Sequence, residues 1–351
     1  MLCRDSLRIS TNFDVKPLDM PLEAELEKRM LNMFQRRLLT MSSLVIISFL
    51  AIALLPLLVA TTLLMSMTPR YRTAPQAVAF IYGFLLREWT GLTLFIWVLV
   101  RYPRSRHMEK NRAIQFWWAQ SLLNLGKRLY QLNIKVTGTE ALQGNCALVL
   151  SRHSSIGDTV LPLLFFGKAR GEGLRYVLKQ ELRLLPCLDI GGHRLPNVFV
   201  DRSGADSAKA VKEVSNLIAT AGSDESVLIY PEGTRFTQKK HDELRAKHPK
   251  LEQQLDRWPN LLPVRLGGVL GMMTANPGKD LVFLAHAGFE GSADIHDLLN
   301  GNWLNQQVRL HFWRIPYADL PKENVQEFLF QEWDNMQSKV RELLDEIHSA
   351  A

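Results

Sequence analysis

The stretch VLIYPEGTRFTQKKH, residues 227–241, joins a short apolar run to a Pro-Glu-Gly-Thr-Arg turn and then to a basic cluster. Proline ends the predicted strand, and Gly233 permits a sharp turn directly after it. The turn therefore displays Glu232, Thr234 and Arg235 at a fixed position beyond the strand. A planar guanidinium suits a phosphate, and a carboxylate can hold that guanidinium or accept a hydrogen bond from a hydroxyl. A purely structural Glu-Arg pair is the alternative.

Short apolar runs of the same kind recur from residue 133 onward and alternate with amphipathic segments. Seven of them predict strands, namely NIKVTG, CALVLS, LRYVLK, NVFVD, SVLIY, DLVFLAHA and VRLHFW. Runs that are apolar throughout are typical of strands buried on both faces. Amphipathic helices are predicted at residues 204–222 and 321–349. We therefore predict an α/β domain over residues 133–351, with a largely parallel or mixed sheet flanked by helices.

The chain before this domain is apolar enough to enter a membrane. Residues 43–67 carry no charge, and LVIISFLAIALLPLLVATTLLM is about the length needed to cross a bilayer core. A second apolar region, residues 77–100, is interrupted by Arg87 and Glu88, so it either crosses or lies partly in the interface. We predict a polar segment over residues 1–40 and a transmembrane helical hairpin over residues 41–101.

Basic residues flank this hairpin on its outer sides. They are Lys28, Arg29, Arg36 and Arg37 before it and Arg101, Arg104, Arg106, Lys110 and Arg112 after it. Only Arg70 and Arg72 lie between the two apolar regions, so the positive-inside rule predicts an integral membrane protein with its α/β domain on the cytoplasmic face. Residues 102–132 predict an interfacial or connecting helix, because the tryptophans of AIQFWWAQ suit a headgroup boundary and a protein core equally.

Composition narrows the classes of partner. Three cysteines in 351 residues fit neither a disulfide framework nor a zinc signature, which favours a reducing environment and predicts no metal. The net charge of +7 favours anionic partners, such as nucleic acid, anionic lipid or a phosphorylated substrate. Nucleic acid is disfavoured, because the basic residues cluster beside the apolar regions and no nucleic-acid-binding signature is present.

Two further polar stretches follow predicted strands, where ligands bind in α/β sheets. After CALVLS comes RHSSIGD, in which His153 and Asp158 can meet only if the backbone changes direction between them. Asp158 would then orient the imidazole while His153 takes a proton from a hydroxyl. The alternative is that Asp158 caps a helix and His153 is a surface histidine. After NVFV comes Arg202, a second candidate for a phosphate.

Together these residues resemble a known family. The H-x-x-x-x-D frame of His153 and Asp158, then FVDR, then PEGTR are similar to the signature blocks of the membrane glycerolipid acyltransferases of the 1-acylglycerol-3-phosphate acyltransferase type. YPEGTRFTQKKH followed by NLLPVRLGG particularly resembles the branch with lysophosphatidate and lysocardiolipin acyltransferases. The similarity in block order covers residues 133–317.

The resemblance implies specific roles. His153 would be the catalytic base and Asp158 its orienting partner. The residues that would bind the glycerophosphate acceptor are Arg202, Glu232, Gly233, Thr234 and Arg235. The acceptor hydroxyl would attack the thioester of acyl-CoA or acyl carrier protein directly, without a permanently bound cofactor. Two positions depart from the family: Arg152 stands where Asn is usual, and Val264 separates Pro263 from Arg265, to which no role is assigned.

The expected function is therefore transfer of an acyl group to lysophosphatidic acid at a membrane, giving phosphatidic acid. Its expected partners are the lysophospholipid, an anionic bilayer surface and the thioester donor, and no nucleic acid. Other lysophospholipids or hydroxylated lipids are alternative acceptors. A lipid hydrolase or thioesterase would use the same His-Asp base on water, although no G-x-S-x-G motif is present. A non-catalytic membrane tether would need no His-Asp frame at all.

Overall fold

The protein is described by a computed structural model that covers residues 20–200, 207–292 and 295–349. Its helices are α1 (Met20–Met65), α2 (Ala74–Arg101), α3 (His107–Tyr130), α4 (Pro186–Arg194), α5 (Ser207–Ala219), α6 (Gln238–Lys247), α7 (Glu252–Arg257), α8 (Leu266–Thr274) and α9 (Val325–Ser349). Its strands are β1 (Asn133–Thr137), β2 (Ala147–Ser151), β3 (Gly173–Lys179), β4 (Val198–Val200), β5 (Glu225–Ile229), β6 (Asp280–Ala287) and β7 (Gln307–Ile315).

The seven strands form one mixed sheet in the order β1-β7-β6-β2-β5-β3-β4. Strands β2 to β6 run parallel to one another, whereas β7 pairs antiparallel with β6 and β1 pairs parallel with β7. Every position of β2, β5 and β6 is buried, as their largely apolar runs predict. The predicted α/β fold with a mixed sheet is confirmed.

Helices cover both faces of this sheet. On one face, side chains such as Val149 pack with Ala119 and Leu123 of α3 and with Ala77 of α2. On the other face, the neighbouring Leu148 and Leu150 pack with α5, α8 and α9. Successive residues of a strand point to opposite faces, so each strand contributes to both layers of the core.

Helix α3 belongs to the core of the domain. Its residues Ile114, Ala119, Leu123 and Tyr130 are buried, whereas Trp117 on its outer side is 37% exposed. Of the two alternatives that the sequence leaves open for residues 102–132, the packing favours a connecting helix that contacts the sheet.

The two apolar helices at the N-terminus differ in their packing. Both are long and apolar enough to cross a membrane by length and composition, and the apolar side chains of α1 after residue 44 are largely exposed. Helix α1 has 46 residues, roughly 70 Å at about 1.5 Å per residue, and passes without a break through the predicted boundary at residue 40. Before the apolar part of α1, Arg36 and Arg37 contact the buried carboxylate of Asp189 in α4, at 2.8 and 2.7 Å.

Helix α2 packs lengthwise on the α/β domain. Thr73, at its start, donates its hydroxyl to the Leu298 carbonyl at 2.9 Å. In its middle, the buried Glu88 accepts a hydrogen bond from the Cys187 N–H at 3.1 Å, and near its end the Phe95 carbonyl accepts one from Arg194 at 2.7 Å. These contacts tie α2 to the α/β domain along its length, and the predicted crossing by residues 77–100 stays a prediction.

Candidate active site

The carboxyl edge of the sheet, where β2 and β5 end, carries the polar stretches singled out in the sequence. The two strands are parallel neighbours, with Leu150 opposite Ile229, so the loops that follow them leave the sheet side by side. A hydrogen bond from the Phe236 N–H to the His153 carbonyl, at 2.6 Å, ties the two loops together. Arg202, predicted to follow β4, lies outside the described residues.

His153 and Asp158 are in direct contact. The backbone turns sharply after β2, and His153 Nδ1 lies 2.9 Å from Asp158 Oδ1. The other oxygen, Oδ2, accepts hydrogen bonds from the N–H groups of Ser154 and Ser155 at 2.6 and 2.7 Å. The Asp158 side chain is 1% exposed and the His153 side chain 13% exposed, so the imidazole faces an opening while its partner is enclosed.

The electrostatics of this pair suit a proton acceptor. Burial disfavours the charged form of Asp158, but the charge and hydrogen bond of His153, the charge of His286 and the Ser155 N–H outweigh it and hold the pKa of Asp158 below its ordinary value. An ionised Asp158 fixes the imidazole proton on Nδ1. Nε2, which has no hydrogen-bond partner among the described residues, is then the nitrogen that can take a proton.

Glu232 of the predicted turn joins two loops. Its Oε2 accepts a hydrogen bond from the His153 N–H at 2.6 Å and its Oε1 one from the Leu262 N–H at 3.0 Å. Burial raises the pKa of Glu232 to about 8, against the opposing charge of Arg152 and these two N–H groups. Through these contacts Glu232 holds the loop that carries His153. Its predicted contact with the acceptor stays a prediction.

The rest of the turn lies at the same edge. Gly233 has a φ of +69°, which favours glycine, and a Cβ there would lie 2.5 Å from Arg265 Cδ, so a larger residue would displace the Arg265 side chain. Thr234 Oγ1 and the Arg235 carbonyl accept hydrogen bonds from Lys240 Nζ at 3.1 and 3.0 Å. The side chain of Arg235 is half-buried beside them.

Beneath the pair lies a buried network that sequence reasoning did not assign. Arg152 is fully buried and donates hydrogen bonds to the carbonyls of His286, at 2.7 Å, and Asn260, at 3.0 Å, and to the carboxylate of Glu290. His286, also fully buried, places Nε2 2.9 Å from the Arg152 carbonyl and 3.4 Å from Asp158 Oδ2. A histidine inside the apolar run DLVFLAHA was the available signal, because a polar side chain in a strand buried on both faces needs a partner.

Comparison with known proteins agrees with this geometry. Residues 133–257, which include the His-Asp pair and the turn, match the model of the family described as Acyltransferase. The chain therefore contains a domain of the family described as Acyltransferase. A search of curated proteins found no match.

The acyltransferase also matches a solved structure, the 1-acyl-sn-glycerophosphate (LPA) acyltransferase PlsC from Thermotoga maritima. The match covers 79% of this chain and 99% of that chain, with a TM-score of 0.53 and 17% sequence identity. At this identity the likeness shows a shared fold.

A groove of about 580 Å³ adjoins the turn of the acyltransferase, between α6 and residues 262–266. Glu232 and Thr234 of the turn line one side of it. In the described part of the chain, no group of three or more His, Cys, Asp or Glu side chains is placed to hold a metal ion.

Proposed function

We propose that the acyltransferase transfers an acyl group from a thioester to the free hydroxyl of lysophosphatidic acid at a membrane, giving phosphatidic acid. The observation that carries the proposal is the His153–Asp158 contact at 2.9 Å, at the sheet edge that also carries the Glu-Gly-Thr-Arg turn. The structural neighbour from Thermotoga maritima, described as an LPA acyltransferase, supports the same acceptor.

The mechanism follows from the protonation states of the pair. His153 Nε2 takes the proton of the acceptor hydroxyl as its oxygen attacks the thioester carbonyl carbon, and Asp158 stabilises the imidazolium that forms. The tetrahedral intermediate then collapses: the carbon–sulfur bond breaks, the ester remains, and the imidazolium returns the proton to the leaving thiolate. Neither step needs an acyl-enzyme.

Recognition of the acceptor is proposed for the turn. The guanidinium of Arg235 can form two parallel hydrogen bonds to the phosphate of a lysolipid, with Arg202 as the second cation. Because Glu232 holds the loop of His153, the phosphate site and the base keep a fixed separation. A fixed separation selects an acceptor whose hydroxyl and phosphate are correctly spaced.

Supply of the lipid is proposed to depend on the N-terminal helices. The exposed apolar side chains of α1 include Ile46, Phe49, Ile52 and Leu64, and they have no covering in the described residues. A long, contiguous apolar surface is typical of a contact with a membrane or another protein. Because no charged residue interrupts it, we infer that it contacts the lipid of a membrane. The basic residues at both flanks would face anionic headgroups on the cytoplasmic side.

The test is an acyl-transfer assay in mixed micelles with oleoyl-CoA and a panel of lysolipids. We expect labelled oleate in phosphatidic acid when lysophosphatidic acid is the acceptor, and a loss of about 10²- to 10⁴-fold in His153→Ala. His348→Ala, at the exposed end of α9, is the matched control and should keep full activity. Wild-type turnover by His153→Ala would contradict the assignment, and label recovered as free oleate would identify a hydrolase.

A further inference from the structure

The groove beside the turn combines an apolar floor with a basic rim. Its apolar lining consists of Leu244, Leu251, Leu262, Pro263, Val264 and Leu266. Its basic lining consists of Lys240, Lys247, His248 and Arg265. The two acidic residues in the lining are already engaged, since Glu232 accepts two backbone hydrogen bonds and Glu243 lies 3.9 Å from Lys247. Such a surface suits an anion attached to an apolar chain.

Arg265 is the cation best placed to hold that anion. Its backbone N–H donates to the Pro231 carbonyl at 2.8 Å, which fixes the residue against the turn, and its side chain lies over Gly233. The guanidinium is exposed and makes no hydrogen bond or ion pair with the residues that the structure describes. It is therefore a positioned fork of donors at the rim of a groove.

The groove and the proposed base share a wall. Glu232 lines the groove through one side of its chain, and its Oε2 lies 2.6 Å from the backbone nitrogen of His153. The groove therefore lies beside the loop that carries His153.

We propose that this groove binds the phosphopantetheine arm of the acyl donor, with Arg265 holding a phosphate. The inference rests on the proposed function. The arm carries a phosphate, a geminal dimethyl group and two amides ahead of the thiol, which matches a basic rim over an apolar floor. The same arm occurs in free coenzyme A and on carrier protein, and the groove recognises the chemistry that the two share. The phosphate of the acceptor binds instead at the Glu-Gly-Thr-Arg turn.

The test compares three donors in Arg265→Gln. They are oleoyl-CoA, oleoyl carrier protein and the oleoyl thioester of N-acetylcysteamine, which has no phosphate. For the donor that the protein uses, KM should rise about tenfold, the value of one charge-assisted contact, while the KM for lysophosphatidic acid stays constant. With N-acetylcysteamine the wild type and the variant should have equal KM. The donor whose KM responds identifies the source of the arm.

Control variants separate the groove from general charge effects. The double variant Lys247→Gln/His248→Gln should also raise the donor KM, whereas Lys250→Gln, exposed and outside the groove, should not. Equilibrium dialysis of coenzyme A against wild type and Arg265→Gln checks binding without turnover where free coenzyme is the donor.

The outcomes that overturn the inference are distinct from those that overturn the proposed function. An unchanged donor KM in Arg265→Gln, an increase in the lysolipid KM instead, or an equal increase with N-acetylcysteamine each removes the groove from donor binding. Absence of transfer by the wild type from all three donors contradicts the proposed function itself.

Discussion

Replacing Asp158 by asparagine should move the imidazole proton of His153 from Nδ1 to Nε2, in addition to removing a charge. Asp158 Oδ2 accepts hydrogen bonds from two backbone N–H groups, at 2.6 and 2.7 Å. His286 Nε2 lies 3.4 Å from the same oxygen. Only the carbonyl oxygen of an asparagine can occupy that position. Its NH₂ group must then take the place of Oδ1 and donate to His153 Nδ1, across the 2.9 Å contact.

In that arrangement the imidazole proton moves to Nε2, and the ring cannot accept a proton from the acceptor hydroxyl. We expect kcat to fall about 10³- to 10⁴-fold, with little change in either KM. The assay is initial-rate acyl transfer over both substrate concentrations, with urea denaturation to check the fold. Asp158→Ala removes the orienting group without imposing the wrong tautomer, so Asp158→Asn should be no more active than Asp158→Ala. A kcat within tenfold of wild type for Asp158→Asn would refute the reasoning.

Three further predictions concern the groups around the pair. Arg152→Gln should lower the free energy of unfolding in urea by about 3 kcal/mol, because the partly buried Glu290 carboxylate and two carbonyls lose their donor. Arg341→Gln, on the exposed side of α9, should lower it by under about 0.5 kcal/mol, and equal losses in the two variants would contradict this reasoning. The pKa of Glu232 is about 8 in the folded protein, against an ordinary 4.5. Between these two values the carboxyl is protonated in the folded state and ionised in the unfolded state. The free energy of unfolding should therefore fall as pH rises, by at most about 1.4 kcal/mol per pH unit. Urea titrations from about pH 5 to pH 8 should show a flatter dependence in Glu232→Gln, and identical slopes would exclude a raised pKa. Gly233→Ala should lower the thermal midpoint of unfolding more than Gly171→Ala does. Both glycines have a φ near +70°, but only a Cβ at Gly233 would contact a side chain, that of Arg265. Equal midpoints would show that the Arg265 side chain moves aside at no cost.

The strands and the pairing of His153 with Asp158 could be anticipated because both depend on local sequence. An apolar run identifies a buried strand, and Gly157 with two serines allows the turn that brings an acid back to a histidine. The antiparallel placement of β7 beside β6 could not be anticipated, since the order of strands depends on pairings between segments distant in sequence.

Long-range contacts also account for what the sequence did not reveal about the site. His286 reaches Asp158 from β6, and Arg152 draws in residues that lie more than a hundred positions away. Glu232 was predicted to face the acceptor, and its hydrogen bond to Leu262 depends on a loop whose course the sequence does not specify. Arg202 lies outside the described residues, so its predicted role stays a prediction.

The lengthwise packing of α2 makes the apolar N-terminal region part of the folding unit. Ala77 belongs to the same core as Val149 of the central strand, and Glu88 satisfies a buried backbone N–H of α4. Cutting the chain after Arg101 would uncover apolar side chains on α3 and leave that N–H without an acceptor. A shortened version made for solubility would therefore be expected to aggregate, and the intact chain in detergent is the form to purify and assay.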